Sequence, residues 1–156
     1  MPLITKSEVI SRCITNANFD THLIKDTFIE IAELNHVKPF LGEDLYDACV
    51  AGGYVTLVND YIQPMLIYYA LVDYLPFSAF QVKNGGIFKH ISENAESATK
   101  EEIDFLVQKY RDKAEWYTRR FIDYMSFNQS LFPEYYSNTN NDIYPDKDAT
   151  FQGWVL

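Results

Sequence analysis

Glu33 and His36 stand three positions apart in a stretch that reads as helix, so both side chains share one side of it. That Glu-x-x-His spacing is how four-helix bundles present carboxylate and imidazole to a pair of iron ions. The chemistry needs a second Glu-x-x-His and two further inward-facing glutamates. The sequence contains no second copy, and a helical wheel puts Glu33 with Asp26 and Glu30 on the polar side. A solvated helix end is the expectation, and no metal is assigned. Asp142, Asp146 and Asp148 suggest calcium by type, but the ligand order of an EF-hand is missing and Pro145 interrupts them. His22, His36 and His90 are isolated, with no nucleophile, base and orienting group to assemble around them. The run from Lys83 to Gly86 is a turn; it lacks the Lys-Ser/Thr ending of a phosphate loop. The expectation is a chain without catalytic residues and without a cofactor.

Two other patterns hold more information. Phe105, Trp116 and Phe127 recur every eleven residues on the polar side of a helix, with Lys109, Asp112, Arg120 and Asp123 among them. Large aromatics on the wrong face of a solvated helix indicate a partner surface, unless another part of the same chain covers them. Asp26, Glu30 and Glu33 form an acidic stripe, either a water-facing side or the lining of a pore.

The elements that position these residues follow from periodicity and capping. Thr5 with Glu8 is a capping-box pattern that opens a helix of about two turns to Cys13. Asp20 can cap a second helix running to His36, with Ile24, Phe28, Ile31 and Ala32 on its apolar face. "NHVKPFLGEDLYDA" then breaks the helical pattern. Pro39 suits the first turn of a new element, Phe40 and Leu41 pin a corner to the core, and Gly42 allows a bend or a close approach. Tyr54 to Phe80 is strongly apolar on every side and reads as the central helix, kinked or restarted at Pro64 and ending near Pro76. Asn84-Gly85 between alternating segments reads as a hairpin turn. Thr99 with Glu102 caps a last helix, Lys100 to Phe127, whose core stripe runs Ile103, Leu106, Val107, Tyr110, Ala114, Tyr117, Phe121, Met125. Beyond Asn128 periodicity is lost. The expected fold class is mainly α: a compact helical bundle of about five helices with one short β-hairpin and an irregular C-terminal tail. The division is a helical domain over 1–130 and an extended tail over 131–156. That tail is too rich in aromatics for a disordered segment, so it docks on its own body or on a partner, with Phe151 and Trp154 as anchors.

Composition bounds the function. A chain of 156 residues with 47% hydrophobic and 16% aromatic residues can bury a real core as one domain. A net charge of −9 argues against holding phosphates by ion pairing. The longest apolar run, Pro64 to Val72, is about half of the ~20 residues a membrane span requires, and the N-terminus lacks the pattern of a signal peptide. Cys13 and Cys49 read as reduced core thiols of a protein made in the cytoplasm.

The segments "LITKSEVISRC", "FIEIAELNHVKPFLGEDLYDA", "YIQPMLIYYALVDYLPF" and "YRDKAEWYTRRFIDYM" with the following "FPEY" resemble the helical head–tail connector (adaptor) family of tailed bacteriophages. The resemblance is nearest to the ring proteins of phages of gut Bacteroidetes, including crAss-like phages, and covers most of residues 3–136. It implies a structural virion protein whose copies assemble side by side into a ring, usually twelve-fold, docked beneath the portal protein. The ring extends the DNA channel from capsid to tail, and DNA passes without sequence-specific binding. It implies no cofactor, no enzymatic role and no membrane. On that reading Phe105, Trp116, Phe127, Phe151 and Trp154 are subunit-interface candidates, and Asp26, Glu30 and Glu33 are channel-lining candidates. The competing expectation is a small acidic oligomeric interaction or scaffolding module without enzymatic activity.

Overall fold

Two prolines shape the middle of the chain. The computed structural model describes residues 3–12, 24–78, 80–84, 86–89, 98–137 and 143–149. Within them, α2 (Asp26–Ala32) passes through a π turn (Glu33–Val37) into α3 (Lys38–Leu41). Likewise α5 (Val55–Leu57) passes through a π turn (Val58–Ile62) into α6 (Gln63–Ser78). Each π turn ends two residues before a proline, Pro39 in one case and Pro64 in the other. Proline has no N–H, and its ring crowds the carbonyl four residues back. One wide turn just upstream moves that carbonyl aside and lets the helix continue. The carbonyl four before Pro64, that of Asp60, accepts instead from the Arg120 guanidinium at 3.2 Å. The expected break before Pro39 is therefore a widened turn within a continuing helix.

The helix stops at Gly42, whose φ of 75° and ψ of 166° form the corner into α4 (Glu43–Val50). A Cβ on Gly42 would lie 2.6 Å from Cγ of Pro145. The segment 143–149 thus docks on the corner. The Glu43 N–H, left open at the start of α4, donates to the Ile143 carbonyl at 3.1 Å, and the Asp146 N–H donates to the Pro39 carbonyl at 2.8 Å. Lys38 and Glu43 bridge the same corner at 2.6 Å.

α6 is the central helix. Ile62, Met65, Leu66, Ile67, Ala70 and Leu71 are all buried, because neighbours cover α6 on several sides. α7 (Lys100–Phe127) lies along one side, α2 and its π turn along another, and α1 (Lys6–Arg12) also touches it. β1 (Phe80–Lys83) pairs antiparallel with β2 (Gly86–Lys89). Lys83 faces Gly86, the register that the two-residue turn expected from the sequence requires. The fold is mainly α, a helical bundle with one short β-hairpin. No described helix is long and apolar enough to cross a membrane.

Two faces differ from the wheel. In α2, Ile29 is buried and Ile31 is exposed. In α7, Leu106 is exposed while Thr118 is fully buried, its hydroxyl donating to the Ala114 carbonyl at 2.9 Å. The backbone-directed bond lets a threonine occupy a core position. Past Asn128, a short 3-10 turn leads to α8 (Pro133–Ser137), and both Phe132 and Tyr135 are buried. Tyr135 meets Phe121 edge to face, with ring centroids 6.1 Å apart.

Candidate interaction surface

α7 owes its start to Thr99, whose hydroxyl accepts from the Glu102 N–H while the Glu102 carboxylate accepts from the Thr99 N–H. From there 28 residues run unbroken to Phe127. Its core side carries Tyr110, Ala114, Thr118, Phe121 and Met125, and this fixes which residues point away.

An aromatic seam sets the rotation of α7 against α6. Tyr61 stacks on Tyr124 with centroids 4.2 Å apart, and Tyr68 packs against Tyr117 at 5.6 Å and Tyr110 at 6.0 Å. The Arg120 guanidinium lies 4.5 Å from the centre of the Tyr61 ring, and Lys113 lies 5.5 Å from that of Tyr68. Such cation–ring contacts contribute roughly 0.5–1 kcal/mol each at exposed sites. Sequence reasoning missed this seam, although its signal was present. Tyr61 and Tyr68, Tyr110, Tyr117 and Tyr124, and Lys113 and Arg120 all recur at seven-residue intervals, which return to nearly the same side of a helix.

The outer face of α7 then presents the aromatics singled out by their spacing. Phe105 is 65% exposed, Trp116 57% and Phe127 87%. No other part of the described chain buries them. Trp116 meets the Tyr117 ring edge-on at 4.8 Å, and Lys109 lies over the Phe105 ring at 5.4 Å. Phe151 and Trp154 lie outside the described residues.

The acidic stripe is corrected at one residue. Asp26 and Glu30 are exposed, and Asp26 pairs with Lys6 at 3.0 Å. Glu33 is only 3% exposed. It accepts from the Leu3 N–H at 2.8 Å and from the Tyr46 hydroxyl at 2.7 Å. The Leu3 carbonyl in turn accepts from the Gln63 amide at 3.2 Å. Glu33 stands only ~40° around the helix from Ile29, beside the buried face. Two donors replace the water its carboxylate gives up. It therefore fastens the N-terminal segment to α4 and α6 and cannot line a channel. Burial and the Glu33 carboxylate together push the Tyr46 phenol well up and keep it protonated.

His36 turns elsewhere. Its Nε2 lies 3.1 Å from both carboxylate oxygens of Asp73, and its ring stacks on Tyr69 at 4.7 Å. The Glu33 and His36 side chains thus serve different partners rather than a common metal. At the other end of the bundle, Tyr54 has a φ of 52° and donates to Glu134 at 2.5 Å. The bond to Glu134, then burial, raise its phenol to about 12. Tyr54 also lines an open apolar groove of about 340 Å³ with Val55, Leu57, Tyr124, Leu131 and Phe132. Cys49 is buried, and burial followed by the Glu134 charge raises its thiol to about 12, a core thiol as expected. Cys13 lies outside the described residues.

The fold and this surface define a mainly α helical bundle whose longest helix shows an aromatic and ionic stripe to the outside. The chain belongs to the family described as "Family of unknown function (DUF6712)", whose model matches residues 14–145. No curated protein and no solved structure matches it.

Proposed function

We propose that the chain is a structural subunit of the head–tail connector of a tailed bacteriophage, one copy in a ring beneath the portal protein that extends the DNA channel. The observation that carries this reading is the outer face of α7. Three large aromatics stay exposed on a long, capped helix whose opposite side, Tyr110, Ala114, Thr118, Phe121 and Met125, is buried against its own chain. Aromatic anchors on a rigid element are the residue types that dominate protein–protein contacts. The connector resemblance of the same segments supplies the kind of assembly. The role is architectural, without an enzymatic step, a cofactor or a membrane, and the neighbours are further copies, the portal protein and the next connector or tail protein.

Asp26 and Glu30 are the remaining lumen candidates. An acidic wall repels DNA phosphates, and at physiological salt its field extends only ~8 Å, so it acts on DNA only from the channel surface itself. The overall charge of −9 suits a channel that DNA slides past without sticking.

The test is co-expression with a portal protein of the genome that encodes the chain, with assemblies resolved by native mass spectrometry and electron microscopy. A ring on the portal is the expected product, and Trp116→Ala with Phe127→Ala is expected to abolish it while leaving the subunit folded. Self-association that never engages a portal would refute the connector role and favour the acidic interaction module, whose motive is the same exposed stripe.

A further inference from the structure

The outer stripe of α7 has an order that exposure alone does not explain. From N- to C-terminus it reads Phe105, Lys109, Asp112, Trp116, Arg120, Asp123, Phe127. Aromatic, basic and acidic residues follow one another twice at steps of four, three and four, and a third aromatic closes the series. All seven fall within about 40° of Trp116 around the helix. Read backwards, the order of charges is inverted: acidic, basic, aromatic, acidic, basic.

We infer that two free copies pair through this stripe with their α7 helices antiparallel and a two-fold axis at Trp116. Residues of antiparallel helices stand level when their numbers have a constant sum. With Trp116 on the axis, Lys109 stands level with Asp123 of the second copy and Asp112 with its Arg120, and each pairing occurs twice. Phe105 stands level with the other copy's Phe127. The surface is self-complementary, as a two-fold contact requires. A parallel, in-register pair would set every charge against its like, which is costly at an interface.

The charged groups retain bonding capacity for a partner. Arg120 spends one Nη1 contact on the Asp60 carbonyl, out of five N–H donors in a guanidinium. Asp112 accepts from Gln108 through one oxygen, Oδ1. The Arg120 guanidinium also lies 4.5 Å from the centre of the Tyr61 ring, so it sits at the edge of the stripe nearest the second π turn.

Size sets the strength. A stripe ~33 Å long and ~10 Å wide covers ~330 Å² per copy. A standard stable interface takes ~800 Å² per partner. The pair is therefore weak and reversible, with a dissociation constant in the micromolar range or above, and it is sensitive to salt. The inference concerns the free chain and stands whether or not the chain serves in a connector. In a ring, neighbours meet through two different faces, so this two-fold pair would have to part before the stripe met a ring neighbour.

Charge complementation tests it on the full chain. Analytical ultracentrifugation of the wild type up to ~1 mM is expected to show a monomer–dimer equilibrium that weakens with added salt. An all-acidic stripe (Lys109→Asp with Arg120→Asp) and an all-basic stripe (Asp112→Lys with Asp123→Lys) should each weaken self-association at least ~10-fold. Mixed together, the two variants should form a heterodimer. Orientation follows from Phe105→Cys mixed with Phe127→Cys, which should cross-link to each other faster than either does to itself. Circular dichroism verifies that each variant is folded, and because Arg120 also packs on Tyr61, the all-basic variant is the independent check. A wild type that stays monomeric throughout, a mixture that fails to associate, or preferential cross-linking of like positions overturns the inference.

Discussion

Replacing Gly42 by alanine separates two causes of strain at one atom. The backbone there has φ 75° and ψ 166°, a region open essentially to glycine alone. Holding a residue with a side chain in such a conformation costs roughly 1–3 kcal/mol. The new Cβ also meets Cγ and Cδ of Pro145 at 2.6 and 2.7 Å, and the Pro145 nitrogen at 3.2 Å. The contact involves a ring next to the backbone, so relief requires lifting the segment 143–149. That lift breaks the Glu43-to-Ile143 and Asp146-to-Pro39 backbone bonds. Each is worth about 1 kcal/mol net. The Gly42→Ala chain should therefore lose ~3–5 kcal/mol. For a domain of this size that is a fall in Tm of about 6–20 °C. Hydrogen exchange should show the Glu43 and Asp146 amides losing protection while those in the middle of α6 keep theirs relative to global stability. Pro145→Ala separates the causes, since it removes the ring contact but leaves φ unchanged. The double variant Gly42→Ala, Pro145→Ala should recover part of the loss, so the two effects should not add. A Gly42→Ala chain within ~0.5 kcal/mol of wild type, with both amides still protected, would refute the reasoning.

Glu33→Ala leaves the Leu3 N–H and the Tyr46 hydroxyl without their acceptor. Hydrogen bonds to a charged group are worth ~1.5–3 kcal/mol each, so urea unfolding should show a loss of at least ~2 kcal/mol, and a midpoint equal to that of wild type would be the contrary result. Tyr54 has its phenol raised from 10.0 to about 12, so the folded chain holds that proton more tightly than the unfolded chain. Its contribution to stability is whole below pH 10.0 and is lost as pH climbs through about 12. Alkaline unfolding followed by circular dichroism should be less steep across that window in Tyr54→Phe; an unchanged profile would show that the bond to Glu134 does not govern it.

Local chemistry was legible in the sequence where the deciding atoms are neighbours in the chain. Thr99 and Glu102 announce the start of α7 because a capping box closes within one turn. Asn84-Gly85 sets the hairpin register because a two-residue turn needs φ values those residues tolerate. The unrelieved apolar content of Gln63–Ser78 marks a helix covered from several sides, and it is the centre of the bundle. The eleven-residue recurrence of Phe105, Trp116 and Phe127 placed them together on the outside of α7, where they lie. Tertiary structure decided whatever depends on a partner far along the chain. Glu33 looks like one more solvated carboxylate until Leu3, thirty residues before it, and Tyr46, thirteen after, supply its donors. Thr118 reads as polar until Tyr69 and the Ala114 carbonyl surround its hydroxyl. Gly42 could be assigned a bend from its type, but only the approach of Pro145, 103 residues later, explains why nothing larger fits there. A wheel ranks each side chain by its own preference for water, whereas burial follows from which surfaces meet, and bonded partners can hold an anion in the interior while isoleucine, as at Ile31, remains outside.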